Sequence, residues 1–107
     1  MNSSPTLSLL AIDDDAQNLD IIKMALQHEG LEILTSQDPE EGFETFLRIR
    51  PRIVLLDLVM PKVSGIELLE RILGVDPGVD IILVTAHYSP ESAVEAIQKG
   101  AADYLTK

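Results

Sequence analysis

Four aliphatic residues in a row, Ile53-Val54-Leu55-Leu56, run directly into a carboxylate, Asp57. A short apolar run containing β-branched residues reads as a strand buried on both faces, the pattern of a parallel sheet sandwiched between helices. The charge at its end needs a reason. A polar turn is the plain one, and for an isolated Asp it is sufficient. The sharper one is that open α/β sheets keep their chemistry at the carboxyl ends of parallel strands.

The rest of the chain repeats the pattern. Leu7 to Ile12 is a mostly apolar run ending in Asp13-Asp14-Asp15, and Ile81-Ile82-Leu83-Val84 ends in Thr85. Leu31 to Ser36 reads as a short strand, Arg52 to Asp57 as the strand already described, and Ala101 to Lys107 as a fifth that ends in a cation. Helical spacing fills the intervals. From Ala16 to Glu29, the residues Leu19, Ile22, Ala25 and Leu26 share a face, with Asp15 as N-cap and Gly30 as the stop. Asp38-Pro39-Glu40-Glu41 starts a second helix striped by Phe43, Phe46 and Leu47, which ends near Arg50 because Pro51 disfavours helical geometry before it. Ser64 and Glu67 have capping-box spacing for a third, with Ile66, Leu69, Ile72 and Leu73 on one side and a turn over Gly74 to Gly78. Ser89-Pro90-Glu91 opens a fourth. Its apolar side, Ala93, Val94, Ala96 and Ile97, is thin and buries little area, so it is expected to be the most easily displaced element.

Strands alternating with helices predict a doubly wound α/β fold, a five-stranded parallel sheet with right-handed crossovers. With no helical segment after the last strand, one sheet face is expected to be a helix short and to show water an apolar patch.

At 107 residues the chain is long enough for one domain and one core, taken to span 1–107. A net charge of −10 is the wrong sign for phosphate-backbone contacts, which argues against direct nucleic-acid binding and favours cations or basic partners. The absence of cysteine excludes a disulfide framework and a thiolate metal site. Met1 to Pro5 has no basic region, and no apolar run approaches the roughly 18 residues of a membrane span. The expectation is a soluble, cytoplasmic protein.

In the predicted sheet, the strand-terminal groups Asp13, Asp14, Asp57, Thr85 and Lys107 gather at one edge. Three carboxylates there repel one another and call for a compensating cation. A hard oxygen site suits Mg²⁺, which takes one or two carboxylates, several waters and phosphate oxygens. Together with Lys107 and the Thr85 hydroxyl it would hold a phosphoryl group, and Asp57 would be the carboxylate nucleophile. Singly, each residue has an ordinary reading as helix cap, strand-end hydroxyl or surface lysine. Their joint placement does not.

Ile12-Asp13-Asp14-Asp15, Leu56-Asp57-Leu58-Val59-Met60-Pro61, Gly65, Val84-Thr85-Ala86, Gly100-Ala101-Ala102-Asp103-Tyr104-Leu105 and Thr106-Lys107 make the chain resemble, over nearly its whole length, the receiver domain of two-component response regulators. The resemblance implies a flavodoxin-like sheet of order 2-1-3-4-5. It implies that Asp57 is the phosphoacceptor, and that Asp13 and Asp14 hold Mg²⁺, with Asp14, Asp57 and the Val59 backbone carbonyl as direct ligands. Thr85 and Lys107 would bind phosphoryl oxygens, and Tyr104 would be the switch aromatic that turns inward as Thr85 moves, against the plainer reading of a half-buried strand tyrosine. Val59 and His87 occupy positions that tune phosphoryl lifetime, although a loop histidine without a catalytic task is the simpler account of His87. His28 reads as a surface residue of the first helix.

The implied partners are a sensor histidine kinase or phosphotransfer protein as donor and an effector domain or protein as recipient of the signal. The domain would catalyse only its own phosphorylation and dephosphorylation. Two other readings compete. A phosphatase of the haloacid dehalogenase type also uses a strand-end Asp, but needs a second Asp two residues on, where this chain has Val59. A receiver fold serving only as an interaction domain would be expected to carry a substituted site, and none is substituted. The departure from the family is a missing Pro and fifth helix after Lys107, which suggests a truncated domain with lower stability, an altered partner-dependent fold, or self-association as a homodimer through the uncovered sheet.

Overall fold

The structure, a computed structural model, describes residues 7–27 and 30–107. His28, expected at the surface, and the start of the chain lie outside them. Five strands, β1 (Leu7–Ile12), β2 (Leu31–Ser36), β3 (Ile53–Asp57), β4 (Asp80–Thr85) and β5 (Asp103–Thr106), alternate with four helices, α1 (Ala16–Leu26), α2 (Pro39–Ile49), α3 (Gly65–Val75) and α4 (Pro90–Gln98). All strand pairs are parallel, in the order β2-β1-β3-β4-β5, as expected.

Helix starts follow their capping chemistry. Asp15, Asp38, Ser64 and Ser89 each accept a backbone N–H of the first turn, and Pro39 and Pro90 occupy the opening positions. Helix ends differ more from expectation. α1 stops at Leu26, short of Glu29, and Gly30 acts instead in the turn into β2, where its φ of 84° is open to glycine and its carbonyl accepts the Leu7 N–H. α3 runs through Gly74 to Val75, since the Asp76 N–H still reaches the Ile72 carbonyl. The β3 and β5 strands begin one and two residues later than the sequence suggested.

Two apolar layers flank the sheet. On one side Leu10, Ile12, Val54, Leu56, Ile81 and Leu83 pack with Phe46 of α2, Leu68, Leu69 and Ile72 of α3, and Ala96 of α4. On the other, Leu9 and Ala11 pack with Leu19 of α1. Among the described residues α1 is the only helix on this second side, and the expected exposure follows from that. Ile53, Leu55, Ile82 and Val84, read as parts of strands buried on both faces, are only half-buried, and Leu105 is exposed. The α1 stripe is corrected in the same way: Leu19 is buried and Ile22 half-buried, while Ala25 and Leu26 face water. α4 is as thin as predicted and thinner in detail, because Ala96 alone is buried while Val94 and Ile97 are 55% and 52% exposed.

Candidate functional site

Parallel pairing brings the ends of β1, β3, β4 and β5 level, and backbone hydrogen bonds carry the ladder one residue past the strands. Asp13 N–H donates to the Ser36 carbonyl, Leu58 N–H to Val84, and Lys107 N–H to Thr85, all within 2.8–3.2 Å. The site residues are therefore set by sheet geometry rather than by loose loops. From the other side, the N-terminus of α3 presses on the end of β3. A Cβ at Gly65 would collide with the Asp57 carbonyl oxygen and lie 2.8 Å from Leu58 Cα, so only glycine permits this approach.

The result is a cleft of about 270 Å³ lined by Asp13, Asp14, Asp15, Asn18, Asp57, Val59, Thr85, Ala86, His87 and Lys107. Every site residue anticipated from sequence is in it except Tyr104. Side-chain oxygens of Asp13, Asp14 and Asp57 lie within 4.8 Å of one another. Asp13 and Asp57 are buried and Asp14 is exposed. Both oxygens of Asp13 are engaged: Oδ1 accepts the Asp15 N–H at 2.9 Å and Oδ2 the Lys107 ammonium at 2.7 Å. Lys107 also lies 3.3 Å from Asp57 Oδ1.

Electrostatics follow from that crowding. Burial, then the neighbouring Asp13 charge, raises the pKa of Asp57 above its usual range, and Lys107 only partly offsets them. Burial alone would lower the pKa of Lys107, but the hydrogen bond and charge of Asp13, with Asp57 behind them, raise it instead. A set of hard oxygen donors converging from three carboxylates, one of them solvent-facing, fits a divalent cation such as Mg²⁺.

Thr85 is buried, and its Oγ1 accepts the His87 N–H at 3.1 Å, so its hydroxyl is tied to the start of the β4–α4 loop. Val59 and His87 expose their side chains at the mouth. Tyr104 is half-buried on β5, its ring edge-on to Tyr88 with centroids 5.8 Å apart. Asn18 was missed. It lies in the first turn of α1, three residues after the Asp15 cap, and that closeness to the strand-end acids was the only sign that it would line the cleft.

Comparison with known proteins agrees with this geometry. Residues 9–107 match the response regulator receiver domain family. The chain belongs to that family. It is 32% identical to the transcriptional regulatory protein TrcR of Mycobacterium tuberculosis over 94% of its own length and 39% of that protein, and 36% identical to the transcriptional regulatory protein GlrR of Escherichia coli over 92% and 22%. Among solved structures it superposes on a CheY-like receiver domain protein from Methanospirillum hungatei with a TM-score of 0.89 at 33% identity, covering 97% of this chain and 82% of that one. A receiver domain from Clostridium thermocellum gives 0.88 at 34%, covering 94% and 82%. The chain spans less than half the length of these curated relatives. No described helix is long and apolar enough to cross a membrane.

Proposed function

We propose that this receiver domain is a switch phosphorylated on Asp57 by a histidine kinase or phosphotransfer protein. The observation that carries the proposal is the convergence of three carboxylates, two of them buried, with a hydroxyl and an ammonium in a single cleft. In the transfer, an Asp57 oxygen bonds to phosphorus as the bond from phosphorus to the donor imidazole breaks. The imidazole leaves with the electron pair and takes up a proton. Asp14, Asp57 and the Val59 carbonyl would hold Mg²⁺, since both Asp13 oxygens already serve Lys107 and the Asp15 N–H. When bound, the cation offsets the repulsion among the carboxylates and the charge on the phosphoryl oxygens.

Lys107 can pair with one phosphoryl oxygen by loosening from Asp13 or Asp57. Thr85 can reach another by releasing the His87 N–H. Movement of Thr85 then propagates to the β4–α4 loop and Tyr104, and from there to an output domain or partner in the cytoplasm. Turnover of other substrates is not part of the proposal: Val59 supplies no proton where a phosphatase of similar layout needs a carboxylic acid. Acetyl phosphate or beryllofluoride with Mg²⁺ tests the reading. Wild type should gain one phosphoryl group by mass and show shifted amide resonances around the cleft, and Asp57→Asn should do neither. Modification that persists in Asp57→Asn would move the acceptor elsewhere.

A further inference from the structure

Three hydroxyls meet at the start of α4, those of Ser89, Ser92 and, from β5, Tyr104, and phosphoryl transfer itself leaves them unused. Ser89 caps α4, its Oγ accepting the Ser92 N–H at 3.1 Å. Ser92 Oγ lies 2.9 Å from Ser89 Oγ, 2.9 Å from the phenol oxygen of Tyr104 and 3.2 Å from the Ser89 carbonyl oxygen. A serine hydroxyl donates once and accepts twice. One assignment satisfies all of these contacts: Ser92 donates to the Ser89 carbonyl and accepts from the hydroxyls of Ser89 and Tyr104. Every valence of the Ser92 oxygen is then used, at a half-buried position on the first turn of α4.

We propose that Ser92 is a latch, a positioning residue that holds Tyr104 in the arrangement where Thr85 is bound to His87. The proposal rests on the receiver reading above. Register pairs Leu83 with Tyr104 and Thr85 with Thr106, so Tyr104 shares a sheet face with Thr85 and lies diagonally from it. Thr85 can turn toward Asp57 only by giving up the His87 N–H, and His87 lies in the short loop that ends in the Ser89 cap. Loop, cap and phenol are thus joined through one oxygen. α4 has a single buried side chain to anchor it, Ala96, so one hydrogen bond weighs heavily in where this helix and Tyr104 rest.

The chain has two tyrosines, Tyr88 and Tyr104, so 3-fluorotyrosine labelling gives two ¹⁹F resonances, assigned with Tyr88→Phe. Beryllofluoride with Mg²⁺ is titrated into wild type, Ser92→Ala, Ser92→Thr, Tyr104→Phe and the Ser92→Ala/Tyr104→Phe pair. Loss of the latch should tighten mimic binding about fivefold, the worth of one neutral hydrogen bond, and move the Tyr104 resonance of the mimic-free Ser92→Ala protein toward its mimic-bound position. Ser92→Thr, which keeps the hydroxyl, should behave as wild type. Tyr104→Phe removes the same bond from the other side, so Ser92→Ala should tighten mimic binding less in the Tyr104→Phe background than in wild type. A wild-type Tyr104 resonance that responds to the mimic, with Ser92→Ala titrating identically, overturns the latch and leaves the receiver reading standing. Additive effects of the two substitutions overturn it as well. No response of wild type to the mimic removes the proposed phosphorylation of Asp57 and the latch with it.

Discussion

Lys107 Nζ lies 2.7 Å from Asp13 Oδ2 and 3.3 Å from Asp57 Oδ1, so one ammonium joins the end of β5 to the ends of β1 and β3. Its elevated pKa means that the stability it contributes is intact below the ordinary value of 10.5 and is lost only as pH rises through the higher folded value. Lys107→Met should therefore destabilise the domain at neutral pH, by on the order of 2 kcal/mol, less than the 3–5 of a fully buried pair because water reaches the ammonium. Urea denaturation across pH checks this. The deficit should shrink in acid, where Asp57 protonates, and a deficit equal at all pH values would count against the charge-based account.

Asp57 works in the opposite sense. With its pKa raised above 3.8, the folded domain binds that proton more tightly than the unfolded chain, and stability falls as pH climbs from 3.8 through the folded value. Without added metal, Asp57→Asn should melt at a higher temperature than wild type at pH 7, and the two should converge below 3.8. A melting difference of the same size at both ends of the range would show that ionisation of Asp57 is not its cause.

Mg²⁺ should reverse that order. A ligand at a hundred times its Kd stabilises the folded state by about 2.7 kcal/mol, so the wild-type melting temperature should rise with MgCl₂. Asp14→Asn and Asp57→Asn should lose most of the rise. Asp13→Asn is the informative control, because both Asp13 oxygens already have protein partners. Should it abolish the shift as fully as Asp14→Asn, the assignment of direct ligands must change.

How far the fold could be read in advance depended on whether the deciding interaction was local. Caps were legible because Asp15, Asp38, Ser64 and Ser89 bond to residues two or three positions on. Strand-end placement alone brought Asp13, Asp57, Thr85 and Lys107 to one edge, and the strand order entered through the family motifs. Burial was less legible. Apolar spacing marks Ile22, Leu26, Val94 and Ile97 as candidates for the core, yet whether anything packs on them depends on neighbours distant in sequence. The tie from Thr85 to His87 and the Ser92–Tyr104 bond had no signature, since hydroxyls at such positions are ordinary surface chemistry until the sheet register brings them close.

Gly65 and Gly42 make a paired prediction. A Cβ at Gly65 meets the backbone of Asp57 and Leu58, which cannot move without shifting the cleft, whereas one at Gly42 meets the side chain of Ile12, 2.6 Å from its Cδ1. Overpacking typically costs about 1–3 kcal/mol. Gly65→Ala should reach or exceed the top of that range and weaken beryllofluoride binding. Gly42→Ala should cost less, and Ile12→Val, which removes Cδ1, should recover part of the loss. Equal binding of the mimic by Gly65→Ala and wild type would mean that the approach of α3 does not position Asp57.

Val59 stands at the mouth of the cleft, 61% exposed and two residues beyond Asp57. Hydrolysis of an aspartyl phosphate needs a water in line with the bond to Asp57, and valine offers that water no hydrogen bond. An amide at this position can orient the water. One hydrogen bond in the transition state, at about 1.4 kcal/mol, is worth a factor of about ten in rate. Val59→Asn should therefore lose its phosphoryl group about tenfold faster than wild type, followed by intact mass after acetyl phosphate is removed. Val59→Ala, equally apolar, should decay at close to the wild-type rate. Faster decay in both variants would point to shielding by the valine side chain, and unchanged decay in Val59→Asn would remove Val59 from the control of lifetime.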